Sequence, residues 1–215
     1  MKQRGTDKYT IAWFKIADYV SRGEKERALG MYKLLSHSID NEALRMQLEG
    51  DILWTFHDRA AEESYYKAAQ LYEKEGNNHA AVCVYEHLLL LSQVVEYYYA
   101  ILALYKKLNN KAYLEKHLTS LINTLDLEKD YQSMIQILDE YKDYISSESN
   151  INFYDKLIII QAQQGVFLSK KIQEQIEAVV EAYKESEDYE KISSLYTKLK
   201  ALHDDYATYM SMFIE

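Results

Sequence analysis

Apolar side chains recur along this chain at intervals of three and four residues, the period of helices with one buried face. The first such phase spans about 7–22, carries Ile11, Trp13, Phe14, Ile16, Ala17 and Val20, and stops at Gly23. A second carries Ala28, Leu29, Met31, Tyr32, Leu34 and Leu35, then breaks at SHSIDN. Ten more follow over 42–56, 58–75, 79–91, 95–108, 111–126, 129–145, 151–164, 168–185, 188–202 and 204–214. The breaks between them are short and polar: GNN, NN, SSESN, Gly165. About twelve helices of ordinary length are therefore expected. SSESN at 146–150 comes nearest to a linker, but it is short.

Composition supports the same class. There is no proline and only six glycines in 215 residues, so turn-rich β folds and Pro-rich linkers lose their main ingredients. The rest of the alphabet is mostly helix-forming. The expected fold is all-α.

Repetition sharpens the expectation. Adding 33 to Ala17, Ala28, Tyr32 and Leu35 gives Gly50, Ala61, Tyr65 and Ala68; the same offset carries Val20 to Leu53 and Trp13 to Met46. SRGEKERALGMYKLL (21–35) and HDRAAEESYYKAAQLY (57–72) share the pattern of Ala, three residues, then an aromatic. EDYEKISSLYTKL (187–199) keeps its outline with Ile192 and Tyr196, and EKDYQSMIQIL (128–138) with Ser133 and Ile137. In these features the chain resembles the tetratricopeptide repeat. The resemblance is good over 10–75, weak over 95–165 and moderate from 170. It implies a right-handed α-solenoid of antiparallel helix hairpins, read as one divergent repeat domain over 1–215. Within it the clearest repeats lie in 7–75, the middle (95–165) is irregular, a further hairpin covers 168–202, and an apolar helix closes the chain at 203–215. A second phase also fits: Ala69, Tyr72, Gly76, Ala81 and Tyr85 reproduce the family's spacing from a first helix into a second. Both can coexist, because each helix of such a stack packs on its predecessor and its successor.

The formal net charge of −9, with no Lys/Arg block, argues against nucleic acid. One cysteine, Cys83, excludes an internal disulfide and suits a reducing compartment. The N-terminal stretch makes a poor signal peptide, and LLLL (88–91) and LIII (157–160) are far too short to span a membrane. A cytoplasmic protein without membrane insertion is the expectation.

Few residues promise chemistry. His79, Cys83 and His87 are four apart and share one helix face, a spacing open to zinc, but no fourth ligand is near. A buried Cys with two peripheral His is the simpler reading, and no cofactor is expected. Asp58 and Asp204 follow histidines at helix junctions and read as N-caps. No phosphate loop, zinc-protease helix or nucleophile elbow is present, so no enzymatic activity is expected. The 21 tyrosines serve mainly as inter-helix packing, some as a recognition surface.

In the family it resembles, first helices line a concave groove that holds a peptide or partner helix. Mapped onto this chain, the groove positions are Ile11, Phe14, Asp18 and Ser21, then Leu44, Gln47, Asp51 and Trp54. Phe14 and Asp18 replace the Lys and Asn with which one subgroup clamps a terminal carboxylate, which argues against that ligand. An apolar groove with Asp18 and Asp51 suits a polypeptide with apolar anchors and a Lys or Arg. At the C-terminus, Tyr206, Met210 and Phe213 share an apolar face, to be covered by folding back as a cap or by docking on another chain, in an oligomer or hetero-complex. The expected function is a non-enzymatic protein-interaction module: adaptor, chaperone or assembly subunit. The alternative is a peptide-sensing regulator of the helical-repeat type, disfavoured because the chain opens directly on a repeat. Zinc binding through His79, Cys83 and His87 is a remote third.

Overall fold

The computed structural model describes residues 4–214, with side chains from residue 10. Among the described residues there are twelve α-helices and no strand: α1 (Arg4–Ser21), α2 (Lys25–Ser36), α3 (Glu42–Thr55), α4 (Ala60–Lys74), α5 (Asn78–Leu91), α6 (Val95–Lys107), α7 (Lys111–Glu128), α8 (Tyr131–Tyr141), α9 (Ser147–Gln163), α10 (Lys170–Glu185), α11 (Tyr189–Leu202) and α12 (Asp204–Ser211). A 3-10 turn, Lys142–Tyr144, follows α8. Within each of the chain's two compact units, helices neighbouring in sequence pack on one another, the organisation of a helical solenoid.

The turns explain how a chain without proline doubles back so often. Gly23, His57, Gly76, Asn109, Lys129, Gly165 and Glu187 have positive φ, and each directly follows a helix. In each turn two backbone N–H groups close the helix end. At α3, Asp58 N donates to Leu53 O (3.0 Å) and His57 N to Trp54 O (2.9 Å). The same pair of bonds recurs at Gly76–Asn77, Asn109–Asn110, Lys129–Asp130 and Glu187–Asp188. This is the Schellman closure, which needs one left-handed residue. The next residue then caps the following helix: the side chains of Asn77, Asp130 and Asp188 accept from the N–H of Ala80, Ser133 and Lys191. Helix end, turn and helix start thus fit into two or three residues.

Asp58 accepts from Ala60 N (2.9 Å) but stands one residue before the cap position, which is Arg59, and Asp204 does not cap α12. His203 holds the cap position without a side-chain bond, and Asp204 lies in the first turn, where its charge complements the helix dipole. SSESN is likewise no linker: Ser146 caps α9 and the helix begins at once.

By contacts the chain divides into two compact units, residues 1–110 and 111–215, with the boundary at the NN turn. In the first, α3 packs most extensively on α4, followed by α4 on α5, α1 on α2 and α5 on α6. Both repeat phases read from the sequence are therefore realised. Residues related by the offset of 33 are buried alike: Ala28 with Ala61, Tyr32 with Tyr65, Leu35 with Ala68. The small anchors are not alike. Gly50 is buried, whereas Ala17 is exposed and Trp13, one turn earlier, meets Tyr32 at 6.5 Å. Ile16, Ala28, Tyr32, Leu35 and Ile52 form a core shared by α1, α2 and α3.

In the second unit α10 presents Ile172, Ile176, Val179, Val180 and Tyr183 at helical spacing. With Ile158 and Ala162 of α9, Ile192, Leu195 and Leu199 of α11, and Tyr206, Ala207 and Met210 of α12, they form one core.

Polar bonds between residues about one repeat apart stitch both units. Lys25 pairs with Asp58, Asn41 donates to Glu75 (2.9 Å), and Tyr97 and Ser92 donate to Glu62 (2.8 and 2.6 Å). In the second unit Ser146 and Ser149 donate to Glu115, Lys171 pairs with Asp139, and Tyr209 donates to Glu177. Two of these donors, Tyr97 and Tyr209, are tyrosines whose hydroxyls are held by carboxylates.

Burial pushes Tyr32, Tyr97 and Tyr141 up to about 12, with neighbouring carboxylates adding to the effect. Tyr65, Tyr85 and Tyr183 move in the same direction for the same reasons. An unfolded tyrosine ionises near pH 10. Above that pH the unfolded chain loses phenolic protons that the folded chain keeps, so stability falls as pH rises. Thermal melts should show a constant midpoint from pH 8 to about 9.5, then a progressive drop between about pH 10 and 12. A flat profile through that window would contradict this assignment.

Candidate functional site

The mapped groove residues stay largely outside the core. On α1, Phe14 is 72% exposed, and Ile11 and Asp18 are exposed too. On α3, Leu44, Asp51 and Trp54 are exposed and Gln47 is half-buried. The opposite edges of both helices supply Ile16, Leu48 and Ile52 to their common core, so helical periodicity places these stripes on the outside.

On α3 the stripe is anchored from below by α4. Tyr65 donates its hydroxyl to Asp51 Oδ1 (2.8 Å), and Tyr72 donates to Gln47 Oε1 (2.9 Å). Tyr65 reaches this position because residue 50 is glycine: a Cβ there would stand 2.8 Å from Tyr65 Cδ1. The Tyr65 ring also meets His87 of α5, edge-on, at 4.7 Å between centroids. His87 also meets Trp54 at 6.0 Å and 82°, and His57 meets Trp54 at 6.5 Å and 74°. Trp54, 41% exposed, thus has ring contacts with two imidazoles, both steeply inclined to it. Trp54 and His57 also wall a pocket of about 400 Å³ with Asp58, Arg59, Glu62 and Leu91. The hydrogen bond from Lys25 holds the Asp58 carboxyl below the usual carboxylate range.

The histidine–cysteine triplet does not converge. His79 and Cys83 are exposed, while His87 is turned onto Tyr65 and Trp54. Among the described residues no three His, Cys, Asp or Glu side chains are grouped so as to hold a metal ion.

The C-terminal face also differs from a free docking surface. Tyr206 and Met210 are fully buried in the core of the second unit, and Phe213 packs against it. Tyr206 donates to Val166 O (2.9 Å), and Tyr209 stacks on Phe213 at 5.3 Å. Of the two arrangements expected for this apolar face, a folded-back cap or a docking surface, the structure has the first: the chain turns at His203 and α12 lies on α10 and α11. Only the far side, with Met212 and Ile214, is exposed. A second pocket of about 360 Å³ lies between α9, α10 and α11, walled by Glu148, Ile151, Tyr183, Asp188 and Lys191. Lys191 pairs with Asp188 (2.8 Å) and lies over the Tyr183 ring.

His57 and His87 were not foreseen as neighbours of Trp54. The repeat offset contains part of the signal, since 54 plus 33 is 87. His57 enters through the left-handed turn at the end of α3, which spacing does not encode. The chain matches no protein-family model and none of the curated proteins. No described helix is long and apolar enough to cross a membrane.

Proposed function

We propose that this protein is a non-enzymatic protein-interaction module, an adaptor, chaperone or assembly subunit that holds a polypeptide segment against the outer face of α3 and its neighbours. The resemblance to the tetratricopeptide repeat supports this reading, and so does the consecutive packing of helices. The observation that carries it is Trp54, a large ring at a mapped groove position, exposed yet fixed by His57 and His87. Rigid aromatic residues of this kind dominate binding energies at protein interfaces. Because the surface is preformed, docking loses little entropy on the receptor's side. Ile11, Phe14 and Leu44 supply further apolar contact area.

The test is a co-purification from the native host with wild type and the double variant Phe14→Ala/Trp54→Ala. Phe14 is 72% and Trp54 41% exposed, and neither belongs to a buried core, so the double variant should stay folded, which its melting curve checks. Proteins retained by the wild type should be lost from the double variant. They should persist with Leu127→Ala, an exposed apolar change on α7 outside the mapped positions. Identical sets from all three would reject the surface.

A further inference from the structure

Resting on that reading, we infer that the corner formed by Asp51, Trp54, Tyr65 and His87 receives a guanidinium group, the side chain of an arginine in the bound polypeptide. Three features carry the assignment.

First, Asp51 keeps its charge unneutralised. Asp18 is paired with Arg22 (2.9 Å), Asp58 with Lys25 and Glu63 with Lys67 (2.6 Å), but Asp51 forms no ion pair among the described residues. Its one side-chain partner among the described residues is the neutral Tyr65 hydroxyl on Oδ1, and none of them donates to Oδ2.

Second, the carboxylate is fixed in place. Gly50 lets the Tyr65 ring press against α3, His87 backs that ring, and the hydroxyl then holds Asp51. A carboxylate held in this way sacrifices little further freedom when a cation arrives.

Third, an indole lies beside it. Asp51 and Trp54 are three residues apart on one helix, hence neighbours on its surface. A chain of contacts, Asp51–Tyr65–His87–Trp54, also links the two residues through α4 and α5. Such a corner offers a π-face and a carboxylate together. A guanidinium uses both: it stacks flat on an aromatic ring while its edge N–H groups reach a carboxylate, and it is less strongly hydrated than an ammonium. Lysine, a compact and well-hydrated point charge, would keep its water and use the indole less.

The test uses the full chain with Trp13→Phe, which leaves Trp54 as the sole tryptophan reporter. Its fluorescence is titrated with N-acetyl-arginine amide, N-acetyl-lysine amide and N-acetyl-citrulline amide; the last has nearly the shape of the first without its charge. Arginine amide should give a saturable change, with citrulline amide weaker by about tenfold and lysine amide intermediate. Asp51→Asn keeps an acceptor for Tyr65 but not the charge, and should weaken arginine amide by about five- to tenfold. Tyr65→Phe keeps the ring but frees the carboxylate, for a loss of about two- to threefold. Equal response to arginine and citrulline amides, or an Asp51→Asn titration like that of the parent, would overturn the inference. Lysine amide binding as well as arginine amide would overturn its guanidinium preference. If Phe14→Ala/Trp54→Ala loses its partners while arginine amide fails, the docking surface stands and the arginine falls. If arginine amide binds but partners are unchanged, the docking surface falls instead.

Discussion

Replacing Tyr206 by alanine should remove about 3–5 kcal/mol of stability, the largest loss expected from a single substitution in this protein. The ring is 0% exposed and lies in the core built by α9, α10, α11 and α12. Its deletion opens a cavity that rotamer changes cannot fill, and close-packed interiors relax only partly around such a hole. The hydroxyl adds a second loss, since Val166 O would be left without its 2.9 Å donor at the turn after α9. The two contributions separate experimentally. Tyr206→Phe keeps the ring and should lose only about 1 kcal/mol. Urea unfolding followed by far-UV circular dichroism measures both. Similar midpoints for the alanine variant and wild type would show that α12 is not part of that core.

Gly50→Ala should be destabilising by about 1–3 kcal/mol, although helix propensity alone predicts the opposite. In an exposed helix the exchange would gain roughly 1 kcal/mol, because alanine restricts the unfolded chain and glycine does not. Here the new methyl would stand 2.8–3.0 Å from three carbons of the Tyr65 ring. The ring cannot retreat freely, since His87 backs it and Asp51 holds its hydroxyl. Either α3 and α4 separate slightly or Tyr65 leaves its rotamer, and both are unfavourable. Tryptophan fluorescence reads this directly, because Trp13 and Trp54 are the only tryptophans and both belong to the first unit. A stabilised variant would mean that the close approach at Gly50 does not exist.

These two residues also show where sequence reasoning succeeds and where it stops. Gly50 was legible: the offset of 33 places it at a small-residue position, and the structure presses a ring against it. The alternation of apolar and polar residues placed twelve helices close to where they lie, because one buried face per helix is a local property. The position of α12 was not legible. Tyr206, Met210 and Phe213 form an apolar face under either arrangement, and only the tertiary packing reveals that α10 and α11 cover it. Likewise, spacing put His79, Cys83 and His87 on one helix face but could not say that His87 turns to two aromatic rings. Left-handed turns at His57, Lys129 and Glu187 carry no glycine to announce them. They form because the Asp that follows each of them accepts a backbone N–H of the next helix, and closing both helix ends outweighs a modest local strain.

The central claim, that an exposed and rigidly seated tryptophan on a helical-repeat scaffold is where another polypeptide docks, is tested most directly by the co-purification with Phe14→Ala/Trp54→Ala. A folded double variant that no longer retains the proteins held by wild type and by Leu127→Ala is the predicted result. Retention of the same proteins by all three would contradict the account.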